Sequence, residues 1–122
     1  MGADIYLTWD GMTKADKENQ LTGFDVTCGK YGYLRGAYNG HVGYDALLIL
    51  FKGIDWEQKW KVDVGILTAN FEKLKKTLFK TAKNKFYHKG GVDLEIESYY
   101  DFVGLAQKLV LEKKKPTVRF SF

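Results

Sequence analysis

Leu67, Phe71, Leu74, Leu78 and Ala82 recur at steps of four, three, four and four, and no other feature limits the fold as much. Those steps follow the 3.6-residue turn, so the five side chains form one stripe of a helix that needs an apolar surface to cover it. Asp63 or Thr68 is suited to open this helix. It is predicted to run to about residue 86, with Lys89, Gly90 and Gly91 ending it.

Segments of period two supply the covering surface. Ala3, Ile5, Leu7 and Trp9 alternate with Asp4, Tyr6 and Thr8, which predicts a strand over 3–9 with one buried face. Val118, Phe120 and Phe122 alternate with Thr117, Arg119 and Ser121 and predict another. Val92, Leu94 and Ile96 alternate with Asp93, Glu95 and Glu97, and this reads as the clearest strand of all, apolar inward and acidic outward. A further strand over 30–38 carries Tyr31, Tyr33, Arg35 and Ala37 on one parity and Gly32, Leu34, Gly36 and Tyr38 on the other. Its glycines allow close backbone approach.

Shorter helices complete the pattern. Thr13 and Asp16 form a capping box ahead of a polar helix ending before Gly23. Leu47, Leu48 and Phe51 stand at helical spacing over 44–53, closed by Gly53. Asp55 caps a turn that stacks Trp56 on Trp60. Ser98 and Asp101 resemble a second capping box, opening a helix that buries Tyr99, Phe102, Ala106 and Leu109 and stops at Lys115, before Pro116.

Strands and helices interleave irregularly, and several strands have one polar face. The expectation is an α+β fold. It is a small single domain over residues 1–122, with a mixed or mainly antiparallel sheet of about four strands and helices packed on one face. A chain of 122 residues with 45% apolar and 28% charged side chains sustains one such core without metals or disulfides.

The function classes narrow by exclusion. Cys28 is the one cysteine, so no internal disulfide forms and an oxidising compartment is not implied. No basic region followed by an apolar run opens the sequence, and the longest apolar run, 46–51, is too short for a bilayer. The expected address is cytoplasmic, with no membrane partner. His41, His88 and Cys28 stand at no metal-ligand spacing, so no metal and no cofactor is expected.

The residues best suited to binding lie in 31–45, a Tyr/Gly/Arg-rich stretch running from a strand through a loop to a helix start. Glycines let a ligand approach the backbone, and Arg35 offers a planar two-pronged contact to phosphate or carboxylate. His41 changes charge near neutrality. Tyr33, Tyr38, Asn39, Tyr44 and Asp45 add hydrogen-bonding groups. Asp4 and Tyr6 join them if the strands at 3–9 and 30–38 pair.

The expected function is a binding or interaction module rather than an enzyme, with an unknown protein or a small anionic ligand as partner. A second reading is a small enzyme or sequestering protein for a phosphorylated or nucleotide-like ligand, in which Arg35 holds charge and His41 moves a proton. A third, less favoured, is a nucleic-acid binder: Lys73, Lys76, Lys80 and Lys83 fall on one side of the long helix, and Lys113, Lys114, Lys115 and Arg119 form a second basic cluster. A net charge of +4 is low for that role. Monomer and homodimer are both compatible with the sequence, a dimer using Trp56 and Trp60 or an unpaired sheet edge.

Overall fold

The computed structural model describes residues 3–22, 29–36, 47–55, 57–83 and 89–121. In chain order these form β1 (Ala3–Thr8), α1 (Lys14–Thr22), a 3-10 turn (Gly29–Tyr31), β2 (Tyr33–Gly36), a helical turn at 47–50, β3 (Trp60–Lys61), α2 (Val64–Lys83), α3 (Lys89–Leu111) and β4 (Thr117–Ser121). The strands make one sheet in the order β2-β1-β4-β3, every neighbouring pair antiparallel. The fold is α+β, with the two long helices on one face of the sheet.

Register shows why that face is apolar. Directly opposed residues of an antiparallel pair project to the same side. Ile5 stands opposite Leu34 and Phe120, and Leu7 opposite Val118, which also faces Trp60. Ile5, Leu7, Leu34 and Val118 are fully buried, and they pack into one cluster with Leu67, Phe71 and Leu74 of α2 and Tyr99, Phe102, Val103, Ala106 and Leu109 of α3. Phe51, just past the 47–50 turn, ties the layers together. Its ring meets Trp60, Phe102 and Phe120 edge-on, with centroids 6.4, 6.0 and 5.3 Å away, the geometry aromatic quadrupoles favour. Truncating such a residue costs roughly 3–5 kcal/mol.

Helix α2 opens where Asp63 accepts from the Ile66 N–H, and α1 opens on the reciprocal Thr13–Asp16 box, with bonds of 2.9 and 3.1 Å. Thr68 of α2 meets Gln107 of α3, and Phe71 meets Tyr100, so the two helices run antiparallel.

Four expectations are corrected. Residues 92–97 are helical, part of α3, which starts at Lys89, so Gly90 and Gly91 lie in its first turn and Ser98 lies in its interior rather than opening it. Val92, Ile96, Tyr99, Val103 and Ala106 also fit steps of four, three, four and three, and Leu and Glu favour the helix, so extending a helix already nucleated over 98–111 wins over a new strand. The fourth strand is instead β3, whose two residues are too few to show a period. Trp60 therefore lies in a strand rather than on a helical turn, and Trp56 lies outside the described residues. Leu48 is exposed; Leu47, Leu50 and Phe51 turn inward. Finally, β2 begins at Tyr33, because Gly32 adopts φ 82° and takes the chain out of the pleat. A Cβ on Gly32 would stand 2.9 Å from the Leu7 Cβ.

Candidate functional site

The second face of the sheet is a polar grid. Asp4 lies between Arg35 on β2 and Ser121 on β4; Tyr6 lies between Tyr33 and Arg119; Thr8 faces Thr117, which faces Lys61. Strand alternation produces this array: the residues between the buried apolar ones must all point here.

At the β2 side the grid is closed and mutually satisfied. The Tyr33 hydroxyl donates to Asp4 Oδ1 at 2.6 Å, and the Tyr6 and Tyr33 rings stand 5.3 Å apart. Burial first, and then the hydrogen bond to Asp4, push the Tyr33 phenol well above its ordinary value. Burial and the Asp4 charge raise Tyr6 too, against Arg119 and Arg35, which pull it down. Both phenols are neutral at physiological pH. Asp4 has a cation, Arg35, directly across the strand pair, so charge here is largely offset.

At the β4 side the grid opens into a cleft of ≈ 420 Å³, lined by Tyr6, Thr8, Arg119 and Ser121 from the sheet and by Met12, Lys17 and Gln20 from α1 and its approach. The size falls within the range of small-ligand sites. Two cations and three hydroxyls face it, and its described lining holds no carboxylate. Neither Lys17 nor Arg119 takes part in an ion pair among the described residues.

Gln20 anchors the floor. Antiparallel pairing ends at Tyr6 and Tyr33. One step on, Leu7 N–H still donates to Gly32 O at 2.8 Å, but the Gly32 N–H is turned away to Gly29 O at 2.9 Å. Leu7 O would therefore lack a donor. Gln20 Nε2 supplies it at 2.8 Å and donates its other hydrogen to Tyr31 O at 2.9 Å. Helix α1 is thereby pinned beside the sheet despite its weak apolar stripe.

Of the residues marked out by sequence, Asp4, Tyr6, Tyr33 and Arg35 share this face. Tyr33 is fully buried, so it positions Asp4 and offers no contact surface. Tyr38, Asn39, His41, Tyr44 and Asp45 lie outside the described residues. Lys73, Lys76, Lys80 and Lys83 all fall on α2; the Lys73 and Lys76 side chains are exposed. Lys75 between them pairs with Glu72 at 2.9 Å and lies over the Phe71 ring. Sequence reasoning missed Thr8, Met12, Lys17, Gln20 and Ser121, and placed Arg119 only in a basic cluster. The alternation around Arg119 marked its face; nothing local marked the cleft, which joins strands more than a hundred positions apart.

Among the described residues, no group of three His, Cys, Asp or Glu side chains could hold a metal ion, and no helix is long and apolar enough to cross a membrane. No family model matches the chain, and neither a curated protein nor a solved structure matches it.

Proposed function

We propose that this chain is a non-enzymatic binding module that takes a phosphate- or carboxylate-bearing ligand in the cleft between α1 and the polar sheet face. The observation that carries the reading is the pairing of Lys17 and Arg119 across a cleft whose described lining holds hydroxyls but no acid. Arg119 grips two oxygens of a planar or tetrahedral anion, Lys17 adds a point charge, and Ser121 and Tyr6 donate hydrogen bonds, the Thr8 hydroxyl being already given to Thr117 O at 3.2 Å. Asp4 stands across from Ser121 at the border of the cleft, where its carboxylate is engaged by Tyr33 and faced by Arg35, which offset its charge toward the anion. Met12 gives an apolar wall for the rest of the ligand. The single cysteine, Cys28, and the modest net charge of +4 agree with a cytoplasmic module for small anionic ligands rather than a nucleic-acid binder.

A thermal-shift panel of phosphorylated and carboxylated metabolites tests the reading. A ligand at a hundred times its Kd stabilises by about 2.7 kcal/mol, a shift of several degrees. Lys17→Ala combined with Arg119→Ala removes the shift while leaving the ligand-free midpoint close to wild type, since both side chains are solvent-facing. If no metabolite moves the wild-type midpoint, or the double variant responds equally, the reading fails.

A further inference from the structure

A second cleft, ≈ 350 Å³, lies at the β3 edge of the sheet, where β3 meets the end of α3. Its floor is Val62, Val110 and Pro116, and its rim is Lys61, Lys113 and Lys115. The three lysines are exposed, and none takes part in an ion pair among the described residues. Val110 is 40% exposed and its neighbour Leu111 83%, so apolar surface continues past the lip. Alongside runs β3, the edge strand of the sheet, with no strand on its outer side among the described residues.

The rim is held rigidly and at a cost. Lys113 and Lys115 adopt φ of 57° and 50°, left-handed values that side chains avoid. The Lys114 N–H donates to Leu109 O at 3.0 Å and the Lys113 N–H to Val110 O at 3.1 Å, the paired bonds of a Schellman end. Glycine is the usual residue at that left-handed position; here it is lysine. Lys114 O accepts from the Asp10 N–H at 2.9 Å, and Pro116 O from the Val62 N–H at 3.1 Å, so both sides of the lip are tied to the sheet. This backbone fixes two of the three lysines at the mouth of the cleft.

We infer that this cleft docks an acidic peptide segment, one aliphatic side chain seated on Val62, Val110 and Pro116 and flanking carboxylates on Lys61, Lys113 and Lys115. Charge complementarity selects the occupant. A second copy would bring the same three lysines against themselves in a two-fold contact. A flat bilayer gains little from a concave floor, whereas an extended peptide fills the cleft and can pair along β3, beside which no further strand stands among the described residues.

A fluorescein-labelled dodecapeptide with a central Leu-Val pair flanked by glutamates is the probe, and its counterpart with lysines for glutamates is the control. Fluorescence anisotropy is expected to show saturable binding of the glutamate peptide, with the lysine peptide weaker by about tenfold or more. Lys61→Glu, Lys113→Glu and Lys115→Glu together reverse that preference. Amide shifts in a ¹⁵N-labelled sample map to residues 60–62, 110 and 113–115. Val110→Asp, a substitution at an exposed position, weakens both wild-type binding and any binding by the charge-reversed protein. The inference is overturned if the glutamate peptide does not bind, or if charge reversal leaves its affinity unchanged. Amide shifts centred on Lys17 and Arg119, capture by phosphatidylserine vesicles without peptide binding, or self-association through this lip would each overturn it too.

Discussion

Replacing Gln20 by leucine removes the donor on which the junction of β1, β2 and α1 depends. The residue is 5% exposed, and its side-chain amide donates to Leu7 O at 2.8 Å and Tyr31 O at 2.9 Å. Leu7 is fully buried, so its carbonyl gains no water when the amide goes. Leaving a buried acceptor unmade costs about 1–3 kcal/mol, and the half-buried Tyr31 carbonyl adds about 1 kcal/mol more. The expected loss is thus about 2–4 kcal/mol, or roughly 8–15 °C in melting temperature for a domain this size. Urea unfolding followed by far-UV circular dichroism measures it, with an unchanged m-value confirming that the native state alone was altered.

Gln20→Glu separates hydrogen bonding from shape. Its side chain is the same size, but the ionised form offers only acceptors to two carbonyl oxygens, while the protonated form keeps one donor. Burial and the carbonyls raise its folded-state pKa above the ordinary glutamate value of about 4.3. A raised folded pKa gives stability that is present below the unfolded value and lost as pH rises through the folded one. The deficit relative to wild type therefore widens from acid toward neutral pH. A Gln20→Leu protein within about 0.5 kcal/mol of wild type, or a Gln20→Glu deficit flat with pH, refutes the reasoning.

Gly29→Ala is expected to destabilise by about 3 kcal/mol or more, or to prevent folding, because the new methyl would stand 1.6 Å from the Ser98 carbonyl oxygen in the backbone of α3. Gly104→Ala, in the same helix with nothing within 4 Å of the added carbon, should instead raise stability by about 0.5–1 kcal/mol in the same urea assay. Since the Tyr33 phenol is raised in the folded state, stability is present below the unfolded tyrosine pKa of about 10 and falls as pH climbs beyond it; Tyr33→Phe should flatten that alkaline limb in pH-dependent unfolding. Asn70→Ala removes the donor that reaches Leu50 O at 2.9 Å and Lys52 O at 3.3 Å, and calorimetry should record a loss of about 1–3 kcal/mol.

Much of the framework was legible because it rests on near neighbours. The alternation in 3–9 and 117–121, the Thr13–Asp16 box and the Leu67–Phe71–Leu74 stripe each depend on residues within a turn or a pleat, and each appears where its spacing places it. Val92 to Ile96 misled because Val92 and Ile96, four residues apart, share a face in a helix as well as in a pleat, and only Leu94 between them belongs to the alternation alone. The choice was made by the rest of α3, whose apolar residues continue the same helical stripe. Trp60 and Lys61 carry no period at all and become a strand only because Val118 and Thr117 stand ready to pair with them.

The sequence by itself determined which side chains each strand or helix segregates, since backbone geometry assigns faces at fixed spacing. It thereby put Asp4 with Tyr6, and Arg119 with Ser121, on polar faces. Tertiary structure decided that those two faces are one, by pairing Thr8 with Thr117 across a separation of 109 positions. It also decided that Gln20 and Lys17 should border that surface, because the turn at Gly32 leaves a carbonyl that α1 must satisfy. No local pattern encodes such a site. Its cleft exists only where distant segments, each burying its apolar side, bring their polar remainders together.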